Sequence, residues 1–268
     1  MRARQAGWRA RGAGMAAVAV AGGLLLGGCR VDLQDDGAGA SAAPSGAAAP
    51  QDNAAGGDFG VSPLTNPDGT KRGLAPLTSA ADRKSALALI DKVTTKGRGP
   101  KTGYDRDEFG YAWMDSVEGV PYAHNGCDTR NDVLKRDGED ITYRSGSNCV
   151  LASMTLHDPY TGRTIDWRKT KATAVQIDHV MPLSYDWQMG AAHWTKDKRE
   201  QIANDPLNLL PVDGSVNGSK SDSGPASWLP PNKAIRCSYA VRVAQVSLKY
   251  HLPVTSADKS AMARQCGG

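Results

Sequence analysis

The residues best equipped for chemistry lie between positions 177 and 222. Ile177-Asp178-His179-Val180-Met181-Pro182-Leu183 sets a carboxylate beside an imidazole at the end of an apolar run. A neutral imidazole can take a proton near neutral pH, and a carboxylate can hold a hard cation. Neighbours on an extended strand point to opposite faces, so the pair can serve one site only where the strand ends or bulges. Pro182 supplies a reason for it to end. Downstream, Asn208 interrupts the apolar stretch 207–212, and Asn217-Gly218-Ser219-Lys220-Ser221-Asp222 makes a strongly polar turn. Taken alone, Asp178-His179 also fits a structural pair, and Asn208 and Asn217 fit ordinary turn residues. Their common register raises the chemical reading. His124, His157, His193 and His251 have no comparable context and read as surface or structural residues.

The elements expected to carry these residues are short. Residues 173–180 read as a strand with Val175 and Ile177 on one face, and 207–212 as a second strand. A helix is expected at 79–96, capped by Ser79 and stopped by Gly97-Arg98-Gly99-Pro100. Further helices are expected at 186–204, weakened by Gly190, at 232–250 and at 256–265. The aromatic stretch 105–115 (Phe109, Tyr111, Trp113) is expected near the first cysteine pair. Interspersed strands and helices give an α+β class, mostly helical.

Asp178-His179, then Asn208 on a short strand, then Asn217 with Lys220 beyond it, resembles the HNH (ββα-metal) nuclease motif. Adding Cys127-Asp128-Thr129-Arg130-Asn131-Asp132, Asp158-Pro159-Tyr160-Thr161-Gly162 and Trp228-Leu229-Pro230-Pro231, the chain resembles exported HNH endonucleases related to the C-terminal domain of GmrSD restriction enzymes. The likeness runs from about residue 104 to 266. It implies an HNH ββα-metal motif embedded in the domain, with His179 as general base and Asp178 and Asn217 holding one divalent metal, Mg²⁺ or Mn²⁺ given oxygen ligands. It further implies that Asn208 orients His179 by hydrogen bonding, that Lys220 supplies charge to the transition state, and that Arg130 and Arg163 touch phosphate. Many HNH nucleases carry histidine where this chain has Asn217.

Charge must be read by segment. The 268 residues carry a formal +4, but Arg2, Arg4, Arg9 and Arg11 with no acid before Cys29 account for all of it. They precede an apolar run at 15–26 and the string Leu26-Gly27-Gly28-Cys29, the layout of a secretory signal. That string also resembles a bacterial lipobox, which implies a signal peptide at 1–28 and lipidation of Cys29; the plainer alternative is a secretion signal with an incidental cysteine. Residues 29–76 are rich in Ala, Gly, Ser, Pro and Asp and read as a flexible tether. The catalytic domain is then 77–268.

Removing Cys29 from the count leaves Cys127, Cys149, Cys237 and Cys266, an even set suited to disulfides in an oxidising compartment. The sequence-local pairing is Cys127–Cys149 with Cys237–Cys266; two other pairings remain open, and the scattered spacing argues against zinc. The basic run Arg163, Arg168, Lys169, Lys171 reads first as a solvated face, with phosphate contact as the rival.

The expected function is an exported, metal-dependent endonuclease that hydrolyses nucleic acid, DNA before RNA, with little sequence specificity. Its membrane contact would be the lipid anchor only, at the outer face of the cell membrane, or it would be secreted. The alternative is a surface lipoprotein that binds a partner and carries a degenerate nuclease motif.

Overall fold

The computed structural model describes residues 60–268; the signal segment, Cys29 and the tether up to residue 59 lie outside the described residues. Seven helices and five strands follow in the order α1 (Ala80–Asp91), α2 (Thr129–Asp137), β1 (Gly138–Tyr143), β2 (Leu151–His157), β3 (Thr164–Arg168), β4 (Val175–His179), α3 (Leu183–Met189), α4 (Lys196–Asn204), β5 (Leu209–Asp213), α5 (Gly214–Lys220), α6 (Arg236–Tyr250) and α7 (Ser256–Gln265). Short 3₁₀ turns link several of them. The class is α+β, with two small antiparallel sheets, β1-β2-β3 and β4-β5.

Two apolar cores divide the work. The larger is organised around α6, whose Tyr239, Ala240, Val241, Val243 and Ala244 are buried, and which packs against α1 and α7. The smaller holds Val133 and Leu134 of α2, Leu151, Met154 and Leu156 of β2, and Trp167 of β3. Strand β4 joins them: Val175 and Ile177 belong to the smaller core, while Val180 and Met181 just beyond it belong to the larger. The chemistry-bearing end of β4 therefore lies at the seam.

The cysteines pair as Cys127–Cys149 and Cys237–Cys266. The first ties the entry to α2 to the start of β2. The second joins the first turn of α6 to the end of α7.

Several boundaries differ from those expected. Ser79 caps α1 by accepting from the Asp82 amide, but the helix stops at Asp91 rather than 96. The single helix expected over 186–204 is two, α3 and α4, because Gly190 (φ 143°) closes α3 in a backbone shape that other residues avoid. Residues 169–174 form a 3₁₀ stretch, so β4 begins at Val175. The sheet β1-β2-β3, and helices α2 and α5, have no counterpart among the expected elements.

The described part of the tether, 60–76, folds onto the domain as a strap. Leu74 is fully buried in the larger core, and Asn66, also buried, closes a turn by bonding both backbone groups of Lys71. Gly69 lies so close to the 206–207 backbone that a Cβ there would stand 2.4 Å from Leu207 Cα. The Arg136 guanidinium bridges this contact, donating to the carbonyls of Gly69, Pro206 and Leu209.

Candidate active site

Strand β4 runs antiparallel to β5, with Asp178 opposite Leu210 and His179 opposite Leu209, and α5 follows β5 directly. The strand ends at His179, and that ending lets Asp178 and His179 line the same cleft of about 600 Å³. Asn217, on α5, and Arg130, on α2, line it too. Its other wall comes from Lys101, Tyr104, Arg106 and Trp113.

His179 is held on two sides. Its Nε2 lies 3.0 Å from the Ala203 carbonyl oxygen at the end of α4. A carbonyl only accepts, so Nε2 carries the hydrogen and Nδ1 keeps its lone pair in the neutral ring. Trp113 stacks on the imidazole, with ring centroids 5.9 Å apart and planes 11° apart. Trp113 takes a left-handed backbone (φ 64°), strained for a bulky residue, and the following Met114 amide is pinned by Asn204 Oδ1. Burial, with Arg106 adding like-charge repulsion, pushes the His179 pKa down to about 3. The free ring is neutral at physiological pH.

Asp178 is buried and accepts three hydrogen bonds. Lys220 Nζ donates to its two oxygens at 2.8 and 2.6 Å and to the His179 carbonyl oxygen at 2.6 Å, and the Tyr160 hydroxyl donates to Oδ2 at 2.5 Å. Burial raises the Asp178 pKa, against the opposing pull of Lys220 and Tyr160, and lowers that of Lys220.

The expected roles shift accordingly. Lys220 is wholly buried beneath Asp178 and does not line the cleft, so its charge reaches a substrate only through Asp178. No hydrogen bond joins Asn208 to His179. Asn208 accepts from the Met181 amide and donates to the carbonyls of Met181 and Ile202, locking the chain just past β4 to the end of α4. It fixes the frame that presents Ala203 to His179. Arg130 lies in the cleft over the Trp167 ring, at 5.6 Å. Arg163 lies outside it, paired with Asp213 at 3.1 Å. Of the remaining histidines, His124 and His157 contact Glu118 and Glu139.

Tyr160, Trp113 and Arg106 carry weight that the sequence reading did not assign them. Tyr160 falls inside the Asp158–Gly162 string, which was its one available signal. The other two are brought to the cleft by tertiary packing.

Among the described residues no group of three His, Cys, Asp or Glu is arranged to hold a metal. The oxygen donors that line the cleft beside His179 include Asp178 and Asn217. Asn217 Nδ2 donates to Gln176 Oε1, while its Oδ1 makes no hydrogen bond to a described residue. Asp178 accepts three hydrogen bonds on two oxygens that offer about four lone-pair sites, which leaves one. One carboxylate and one amide oxygen suit a cation such as Mg²⁺, which keeps several of its waters. The donor set fits.

Residues 128–265 match the family described as GmrSD restriction endonucleases, C-terminal domain. An uncharacterized secreted protein of Arthroderma benhamiae is 40% identical over 180 residues, covering 66% of this chain and 81% of the relative. No solved structure matches the chain.

Proposed function

This chain belongs to the family of the GmrSD restriction endonuclease C-terminal domain, and we propose that it is an exported endonuclease of the HNH type, hydrolysing phosphodiester bonds of nucleic acid, with DNA favoured. The observation that carries this reading is His179 at the end of β4. It is neutral, its Nε2 is tied to Ala203, and its Nδ1 is left to act on a water. The antiparallel pair β4–β5, with α3 and α4 inserted between its strands and α5 directly after β5, supports the ββα-metal reading.

In the proposed reaction, His179 Nδ1 takes a proton from a water as its oxygen bonds to phosphorus and the bond from phosphorus to the 3′ oxygen breaks. The pKa of the free enzyme is low for a base, but a phosphate anion in the cleft favours the imidazolium and raises it. Asp178 and Asn217 would hold the divalent metal, Mg²⁺ or Mn²⁺, which when bound polarises phosphorus and neutralises the leaving oxygen. Lys220 and Tyr160 orient Asp178, and Lys220 also fixes the His179 carbonyl. Trp113 keeps the imidazole plane in place. Arg130 binds phosphate.

Export is supported by the N-terminal signal layout and by a relative named as secreted. The two disulfides fit an oxidising compartment. Lipidation of Cys29 and anchoring at the outer membrane face belong to the same proposal. Among the described residues no helix is long and apolar enough to cross a membrane.

The test is incubation of the protein with plasmid, linear DNA and RNA, with Mg²⁺ or with EDTA. Cleavage is expected with Mg²⁺ alone, and His179→Ala should lower its rate at least 10²-fold. Intact polymers under every condition, or a His179→Ala variant as fast as the parent, would refute the assignment.

A further inference from the structure

Two of the three cations on the cleft walls, Arg106 and Arg130, bear on how long a substrate the site takes. Arg106 opens the short 3₁₀ turn Arg106–Phe109, which is anchored in the larger core by the buried Phe109. Arg130 stands on α2 and rests over Trp167 of the smaller core. Each arginine is thus built on a different core, and His179 lies at the seam between them. Both guanidinium groups lack an ion pair or hydrogen bond to any described residue. Lys101, Arg163 and Lys220 are by contrast each paired, with Asp222 at 3.4 Å, Asp213 and Asp178 respectively. Burial lowers the Arg130 pKa, against the opposing pull of Asp128. A guanidinium fork matches phosphate oxygens in geometry as well as in charge.

We propose that Arg106 and Arg130 hold the phosphates on either side of the one that faces His179, so that the substrate is a polynucleotide strand with at least three consecutive phosphates. Dinucleotides and other small phosphodiesters, which can engage only one position, are poor ligands. The inference rests on the phosphodiesterase reading above and names the substrate class of that site. It also gives the segment before residue 128, outside the family match, a direct part in gripping substrate.

The experiment uses the full chain carrying His179→Ala, in EDTA, with fluorescein-labelled single-stranded DNA of two, four and twelve nucleotides. Binding is read by anisotropy between 50 and 200 mM NaCl. The tetranucleotide has three internucleotide phosphates and should bind at least about tenfold more tightly than the dinucleotide. Arg106→Ala and Arg130→Ala should each weaken the dodecamer about five- to twentyfold and reduce the salt slope by about 0.7. Lys84→Ala, on the remote α1, should change neither quantity. Arg106 is exposed, so its removal should leave the melting temperature in place; Arg130→Lys retains the charge and the stem over Trp167 should Arg130→Ala unfold.

Equal binding of dinucleotide and tetranucleotide overturns the proposal. So does a dodecamer affinity and salt slope unmoved by either substitution, or moved by only one of the two, since the grip would then not be two-sided. Failure of the nuclease reading is separate: wild type with Mg²⁺ would leave polymers intact even where these binding differences appear.

Discussion

At the scale of single residues, the site depends on charged groups placed where apolar ones are expected. Lys220 is fully buried, with three short hydrogen bonds to Asp178 and the His179 carbonyl. Replacing such a pair by apolar groups can be neutral, but deleting one partner strands a buried charge. Lys220→Ala should therefore lower stability by about 3–5 kcal/mol in denaturant titration and abolish cleavage, whereas His179→Ala, which strands no charge, should lose cleavage with a smaller loss of stability. Equal stability of the two variants would remove Lys220 from its supporting role. Asp132 offers a test of pH dependence away from the site. It is buried, its Oδ2 has no partner, and burial, with Asp115 and Asp128 adding to it, raises its pKa to about 6. A raised carboxyl pKa means that the folded state binds the proton more tightly. Its contribution is therefore full below about pH 3.8 and is lost as pH rises through 6. Asp132→Asn mimics the protonated form. Its stability advantage over the parent should be near zero at pH 4 and about 1–3 kcal/mol at pH 7, and a pH-independent difference between the two melts would contradict this. Neither burial was readable in the sequence, where Lys220 sits in a polar turn and Asp132 in a charged stretch.

At the scale of elements, the candidate residues Asp178, His179 and Asn217 were legible because they sit in short contiguous strings, the first two at the end of β4 and the third in α5 after β5. β4 and β5 stand close to where periodicity puts them. The sheet β1-β2-β3 was not legible, since Gly138–Tyr143 is largely half-exposed or exposed with no clean alternation, and Thr164–Arg168, although Ile165 and Trp167 alternate inward, is only five residues long. It carries Trp167, over whose ring Arg130 lies. Asn208 shows a different limit, because the string places it beside His179 in register while the fold uses its side chain on the backbone of Met181 and Ile202. The cysteine arithmetic left three pairings, and packing of α6 against α7 decides for Cys237–Cys266. Closing this loop, with a sequence separation of 29, is worth about 3–4 kcal/mol in the chain-entropy model. The double variant Cys237→Ala/Cys266→Ala should melt roughly 6–16 °C lower while still cutting with Mg²⁺. An unchanged melting temperature would show that the bridge adds nothing to the packing.

At the scale of the whole molecule, composition marks residues up to 76 as tether, yet the fold begins by residue 60. The segment is poor in large apolar residues, but the few it has are well used. Leu74 is fully buried in the larger core, and the carbonyls of Pro63 and Ala75 accept from Gln245 and Ser238 of α6. Gly69 and Arg136 seal the strap against the 206–207 backbone, one residue short of Asn208. A chain beginning at residue 77 loses these contacts at once and exposes a face of α6 to water. Burial of one leucine is worth about 1.5–3 kcal/mol, and buried carbonyl partners left unpaired add to the loss. Compared with a chain beginning at residue 60, the shorter one should be less stable by about 3–6 kcal/mol in urea titration. Because the strap touches the framework that holds Asn208 and the end of α4, the shorter chain should also cut more slowly at temperatures where it remains folded. If both chains unfold at the same urea concentration and cut at the same rate, the strap is an ornament on the domain, and the boundary at 77 read from composition is the correct one.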